Sequence, residues 1–471
     1  MEAKQPIKCY FTLHGINYKN GFATSCPQNP DQLFRIEKAI KPSEIFNSEG
    51  FRNHRLEMMS GKWSSGCHLC KEPESIGSTS MRQDYEPDMS LYIGDPRETN
   101  GTWSLPGESY QRGLKHVEIR FGNSCNMACR HCSTVYSSGW ISKLKFYQPD
   151  EEVKFYDLKQ LLRTEHRSSE DDKGELEISL DQVKEIVDDL CEYAIGLEKV
   201  EFAGGEVLNQ KQFFYFLKLL ASHPNADKLF IGFHTNFNAN FNPKELSELL
   251  EPFAMTIIHI SVDAGTNIYP YFRTGDWEKL KDNIDTFRSV ASNKKMHLTA
   301  VITTSAYQMM DLPNIFNSLL QLDFVSIDAS MVYSPIYLNP ALMNVNFKDY
   351  LIQDFLEVEA IINQEQRRRI LANELGRLSY NGGVFRDIEK ARTALNDIKT
   401  YSLNTDLGKV AKDRNLKKPG LNGWEIITNE QVVKSFETYV RKTDEIWKQN
   451  FNDYMVNYKL INGKIERVKN V

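Results

Sequence analysis

The chain has 471 residues, 41% of them hydrophobic and 25% charged, with a net charge of -6. That is the balance of a soluble globular protein of two or three domains, at about 100–200 residues each. It lacks the basic excess of a general nucleic-acid binder, and no apolar run approaches the roughly 18 residues that span a bilayer. Residues 1–8 show no apolar signal core, so a cytoplasmic location is expected. In a reducing compartment, clustered cysteines are metal ligands or catalytic groups more often than disulfides.

Residues 1–112 are irregular and rich in Gly, Ser, Pro and Asn. Such a segment buries little apolar surface and needs a metal or a neighbouring domain to order it. One helix is expected over 42–62, with Ile45, Phe46, Phe51 and Leu56 on one side. The segment holds Cys9, Cys26, Cys67 and Cys70, spaced C-x16-C-x40-C-x2-C. Four thiolates suit a structural zinc and a fully ligated iron–sulfur cluster alike, and spacing alone does not choose.

Residues 113–340 alternate strand and helix patterns. Strands are expected at 116–122, 199–204, 228–236, 255–263, 297–304 and 324–332, and helices at 210–221, 243–250, 277–291 and 312–322. Segments 229–233 and 256–260 read as apolar on both faces, the pattern of parallel strands covered by helices. Repeated strand–helix units predict an α/β fold with right-handed crossovers. Six units are too few for a closed eight-stranded barrel, so the expectation is a partial (β/α)6 TIM-like barrel. An insert over 146–180 is charged and turn-rich, and a solvated loop is expected there. Cys191 follows a helical pattern (Val183, Ile186, Val187, Leu190) and is expected to be a small buried apolar residue. Residues 341–471 read as a mostly helical C-terminal region, with Val433, Phe436, Val440 and Ile446 near helical spacing and a loop at 417–424.

The chemistry concentrates at the first strand end, which reads RFGNSCNMACRHCS. Cys125, Cys129 and Cys132, spaced C-x3-C-x2-C, can hold three irons of a four-iron cluster and leave the fourth without a protein ligand. An open position is what lets a metal centre bind and activate a small molecule. The plain alternative is a zinc loop, which wants a fourth close Cys or His, and His131 is poorly placed to serve. The next strand ends in EFAGGEVL, where Gly204 and Gly205 admit close backbone approach and Glu206 brings a carboxylate. HTNFN with Asn236, ISVDAG with Ser261 and Asp263, and YFRTGDW with Arg273 follow in order. Helix capping is the plain reading of Ser261 and Asp263. A surface ion pair is that of Arg273.

In this order, these motifs resemble the radical S-adenosylmethionine (SAM) enzymes, whose signature is the cysteine triplet. From Cys9 to about Trp277 the sequence also resembles a twitch/SPASM-like branch that carries an auxiliary-cluster segment. The carrying residues are the four N-terminal cysteines, the run Ser80, Met81, Arg82, and SSGW at 137–140. The resemblance implies an N-terminal auxiliary-cluster domain (1–112), a radical SAM partial barrel (113–340) and a helical C-terminal region (341–471). It implies a 4Fe–4S cluster on Cys125, Cys129 and Cys132, and a second 4Fe–4S cluster, rather than zinc, on Cys9, Cys26, Cys67 and Cys70. SAM would be bound by its amino group at Gly204, Gly205 and Glu206, and by ribose and carboxylate at Ser261 and Arg273. Asn236 and Asp263 would share that site, and 301–304 would line the adenine or serve simply as a core strand. Pro27 stands where relatives often have a further cysteine, and Val207 where a proline is usual. The implied activity is reductive cleavage of SAM to a 5′-deoxyadenosyl radical that abstracts hydrogen, fed by an external donor such as a flavodoxin or ferredoxin. A peptide or protein is the first expectation for substrate, a small metabolite or sugar the second. A non-catalytic, metal-stabilised binding protein is the reading from another class. No catalytic acid, base or radical relay is assigned. Tyr136, Tyr307, Tyr333 and Tyr337 are candidates to face substrate, with core packing the commoner role.

Overall fold

The computed structural model describes residues 7–19, 21–29, 31, 33–36, 40–77, 80–84, 113–134, 136–144, 177–291, 295–333, 336–374, 386–413, 417–420, 423–426 and 428–468. Most of the insert expected over 146–180 lies outside them. One nine-stranded sheet organises the chain. Its strands are β1 (Gly15–Lys19), β2 (Phe22–Thr24), β3 (Phe34–Arg35), β4 (His116–Ile119), β5 (Lys199–Phe202), β6 (Phe230–Thr235), β7 (Met255–Ser261), β8 (Met296–Thr304) and β9 (Ser326–Met331). The order is β3-β2-β1-β4-β5-β6-β7-β8-β9. From β4 onward every neighbour pair is parallel and sequential, so each of the six expected strands is present. β1 joins β4 in parallel, and β2 and β3 continue antiparallel. The cysteine-rich N-terminus therefore extends the main sheet. Its strands are too short to read from periodicity, and pairing with β4 fixes them.

One face of the sheet is apolar. Val117, Ile119, Val200, Phe202, Ile231, Phe233, Ile258 and Ile260 are all buried. Helices Leu180–Tyr193, Lys211–Leu220, Pro243–Leu250, Trp277–Val290 and Leu312–Gln321 supply the matching stripes, such as Phe213, Phe216 and Leu220. Starts are set locally: a Ser179–Gln182 capping box, Asn242 before Pro243, and Asp276 accepting from two amides. Each such cap contributes about 1 kcal/mol.

The other face corrects the expectation of two apolar faces. β7 alternates buried and half-buried residues, and His259 and Ser261 lie on its open side. β6 places Gly232 and His234 there, and His234 is exposed. With period 2, these positions line the sheet's second face, which is polar. Inside short windows rich in Ile and Phe they read as interruptions.

Three further differences have local causes. The helix expected over 42–62 is two, Pro42–Phe46 and Glu49–Met59, broken at Asn47–Ser48. The break rotates the second, so His54 and Met58 are buried and Leu56 is 55% exposed. Cys191 is only partly buried. In the C-terminal region, helices Leu342–Glu374, Arg386–Asn404 and Asn429–Trp447 dominate, and the second packs against β9. The expected loop at 417–424 is instead a ladder of Lys417–Gly420 with Gly423–Ile426, and a hairpin of Tyr458–Ile461 with Lys464–Arg467 follows. Pairing between strands this short has no periodic signature.

Candidate active site

The triad occupies the loop that leaves β4. Four outside contacts shape it: Ser138 Oγ takes the Cys125 amide (3.0 Å), Thr274 Oγ1 takes the Ala128 amide (2.9 Å), the Trp140 indole donates to the Cys129 carbonyl (3.0 Å), and the Cys129 thiol points to the Arg273 carbonyl (3.5 Å). Cys129 is buried, while Cys125 and Cys132 are partly exposed. Burial pushes all three thiols up, Cys129 to about 12, so each keeps its proton until a metal replaces it.

The GGE turn packs directly under this loop. Gly204 (φ 81) and Gly205 (φ 56) are left-handed, which glycine adopts without steric cost. A Cβ on Gly205 would stand 2.4 Å from the Ser124 carbonyl oxygen. The Glu206 amide donates to that same oxygen at 2.8 Å. The Glu206 carboxylate is buried and accepts from Thr235 Oγ1 (2.6 Å), the Asn236 amide (2.6 Å) and the Leu208 amide (3.1 Å). Burial raises its pKa against these bonds. Asn236 in turn donates to Asn126 Oδ1 (2.9 Å) within the triad loop. The ends of β4, β5 and β6 thus form one hydrogen-bonded unit.

Asp263 and Arg273 meet in a buried ion pair, with Asp263 Oδ1 also taking the Thr303 amide at 2.6 Å. Burial opposes the Arg273 charge, but Cys129, Asp263 and Tyr269 more than offset it and raise its pKa. The reading of Arg273 as a surface ion pair therefore gives way to a buried pair, and Asp263 caps no helix. Arg273 and the Tyr269 hydroxyl are buried beside each other, and among the described residues Arg273 Nε and the Tyr269 hydroxyl have no partner beyond that pair. Ser261, at the end of β7, is half-buried. His131 stacks on Phe272 at 4.9 Å, its Nε2 3.7 Å from Asp263, and burial lowers its pKa to about 4. Phe237, Asp263 and Thr274, three of the six described non-glycine residues at positive φ, all lie here. Strain of about 1–3 kcal/mol per residue collects where a site requires it.

Below this rim lies the open sheet face. Glu201 accepts from His116 Nε2 (2.6 Å) and pairs with Lys199 (2.9 Å). Burial works against its charge, yet Lys199 and His116 hold its carboxyl well below the ordinary range. Gly232 makes room, since a Cβ there would stand 2.8 Å from the Glu201 carboxylate. His234 stacks on His259 at 4.6 Å, and His259 meets Thr299 at 2.9 Å. Arg120 pairs with Glu118 at 3.3 Å and covers the Tyr136 ring. Of the tyrosines considered, Tyr307 and Tyr337 are core residues and Tyr136 is 37% exposed.

The four N-terminal cysteines gather at the opposite ends of the strands, where Gly15 pairs with His116. Cys9 is close enough to Cys26, Cys67 and Cys70 to influence the titration of each. Burial pushes Cys67 to about 12 and Cys70 to about 11. Gln28 bridges Cys26 (3.4 Å) and Cys70 (3.6 Å). Arg82 forks onto Glu74 (2.9 and 2.8 Å) and reaches the Lys8 carbonyl (2.9 Å), while Ser80 also donates to Glu74. That lock ties the CxxC helix to the segment that enters helix Tyr10–His14, whose N-cap is Cys9. Among the described residues, no three or more His, Cys, Asp or Glu side chains meet at a point fit for one metal ion. A four-iron cluster asks for a different arrangement, one thiolate per iron.

Residues 119–305 match the family described as the Radical SAM superfamily. That stretch is similar to a radical SAM domain. It spans the triad, the GGE turn and Arg273, and the superfamily implies a 4Fe–4S cluster and SAM. The donor set fits both: three thiols on one loop beside the buried Arg273, Tyr269 and Glu206 side chains. Solved structures with a distant likeness include native anSMEcpe with bound AdoMet, at 14% identity over 56% of this chain and 62% of that one, TM-score 0.33. Another is anSMEcpe with AdoMet and the Cp18Cys peptide, at 15% identity over 71% and 99%, TM-score 0.33. A third is SuiB of Streptococcus suis bound to S-adenosylmethionine, at 15% over 66% and 63%, TM-score 0.32. The chain thus spans under two thirds of the first and third. No curated protein matches it. The assignment rests on the family match and the site. Among the described residues, no helix is long and apolar enough to cross a membrane.

The sequence missed Arg130, Trp140 and Thr274 as loop-shaping residues, and His116, Glu201 and His259 as a polar floor. Only the alternation in β4–β7 could have found the last group.

Proposed function

We propose that this protein reductively cleaves SAM and uses the resulting radical to abstract hydrogen from a substrate bound over the open sheet face. The observation that carries this is the bonding of the triad loop to the GGE turn and to Asp263–Arg273. When bound, a 4Fe–4S cluster supplies one electron to the sulfonium of SAM, releasing methionine and a 5′-deoxyadenosyl radical. Cys125, Cys129 and Cys132 would hold it. The glycine turn lets the SAM amino group approach backbone carbonyls, and Glu206 fixes the turn. Arg273 would take the SAM carboxylate. Ser261 would meet the ribose. An external flavodoxin or ferredoxin would supply the electron.

The six sequential parallel strands support a partial barrel with the polar face inside. That interior favours a hydrogen-bonding substrate, for which we propose a peptide or protein segment. The same polarity would also accept a hydroxyl-rich metabolite. The four N-terminal cysteines would hold an auxiliary 4Fe–4S cluster. The alternative, a binding protein stabilised by metal with no turnover, is separated by one measurement. Anaerobically reconstituted protein should carry about eight irons per chain, in two four-iron clusters, and one paramagnetic signal should shift when SAM is added. Zinc in place of iron, or a signal indifferent to SAM, would sink the radical reading. Replacing Cys67 and Cys70 together by alanine should lower iron to about four per chain and leave the SAM-responsive signal in place. Full iron in that variant would remove the second cluster.

A further inference from the structure

We infer that the C-terminal helix Asn429–Trp447 is a clamp that positions the cluster loop, with Arg130 as the residue it grips. This rests on the radical SAM reading of the triad, but its geometry stands independently. Arg130 follows Cys129 directly and its side chain is 0% exposed. Nε donates to the Tyr271 carbonyl (2.9 Å), and the guanidinium lies 3.8 Å from the Tyr271 ring centroid. Its other partners come from more than 300 residues downstream: Thr443 Oγ1, Asp444 Oδ1 (2.9 Å) and Gln449 Oε1 (2.9 Å).

A guanidinium taken out of water must be paired on all sides or it leaves. The barrel supplies one carbonyl and one ring, and the helix region supplies the rest. The grip is two-way. Tyr439 donates from the same helix to the Arg130 carbonyl oxygen. Trp447 packs edge-on against Trp140, whose indole holds the Cys129 carbonyl. The two peptide units that follow the middle cysteine, Cys129–Arg130 and Arg130–His131, are thus held by groups that the helix itself provides or fixes. Asp444 is fixed in turn by the Tyr271 hydroxyl (2.9 Å) and the Phe451 amide (2.6 Å). The helix therefore sets the spacing of the three thiols, and Arg130 and Tyr439 are positioning residues.

The test compares full-length wild type with Asp444→Asn and Arg130→Met. In the metal-free chain, amide hydrogen exchange over 126–132 should quicken by at least about tenfold in both variants, because local opening governs exchange there. Residues 255–261, in β7, should exchange as in wild type. In reconstituted protein, the low-temperature paramagnetic spectrum with SAM should change shape in Asp444→Asn, and a chelator should strip its iron about tenfold faster. Unchanged exchange over 126–132 in Arg130→Met would overturn the clamp, whatever the metal content. If exchange quickens while reconstituted wild type shows no SAM-responsive signal, the clamp stands and the radical reading fails.

Discussion

Protein with Cys129 replaced by alanine should form no 5′-deoxyadenosine from SAM and dithionite under anaerobic conditions. Cys129 is the most enclosed of the three triad thiols, and nothing nearby can replace it. Arg273 offers only its carbonyl oxygen, and His131 turns its ring onto Phe272. Two remaining thiolates cannot complete the protein ligation of three irons. The expected result is loss of the SAM-responsive signal and a fall in product of more than about a thousandfold, as when an essential catalytic group is removed. Cys191→Ala is the control. Cys191 sits on helix Leu180–Tyr193 on the covered side of the sheet, and its variant should retain wild-type product. Product from Cys129→Ala at wild-type level would refute the assignment of the triad.

How far the sequence could lead depended on the range of the interactions. The strands β4 to β9 were legible because each sets buried Val, Ile, Phe, Leu or Met residues between turn or helix-start signals. The order of motifs on their ends was legible for the same reason, and the structure brings Cys125, Glu206, Asn236, Asp263 and Arg273 to one edge. What depends on alternation within four to six residues was blurred. Gly232 and His259 turn one side of the sheet into a polar floor, yet each is a single residue inside an apolar window. What depends on distant partners was invisible. Arg130 resembles any charged residue between two cysteines until Thr443 and Asp444 are placed beside it. The same holds for β1, whose place in the sheet comes from His116 and its neighbours.

Glu206 separates two ideas of how the GGE turn works. Read from sequence, its carboxylate contacts the SAM amino group. In the structure both oxygens are engaged: Oε1 accepts from Thr235 and Leu208, and Oε2 from Asn236. A carboxylate has about four acceptor positions, so one remains, but the residue is 0% exposed. The carboxylate therefore acts by holding the end of β6 against the glycine turn. Glu206→Ala would strand three buried donors, a loss of about 3–5 kcal/mol. It should lower the thermal midpoint and cut 5′-deoxyadenosine formation by at least about a hundredfold, since misplacing a site by an ångström has that effect. Glu206→Gln is the sharper variant. Its amide keeps one acceptor oxygen but turns an NH2 toward one of the donors, so the turn is only partly held. If Glu206 positions the turn, kcat for 5′-deoxyadenosine formation should fall with little change in KM for SAM. If it binds the SAM ammonium directly, KM should rise at nearly constant kcat. A rise in KM alone would return the carboxylate to direct contact.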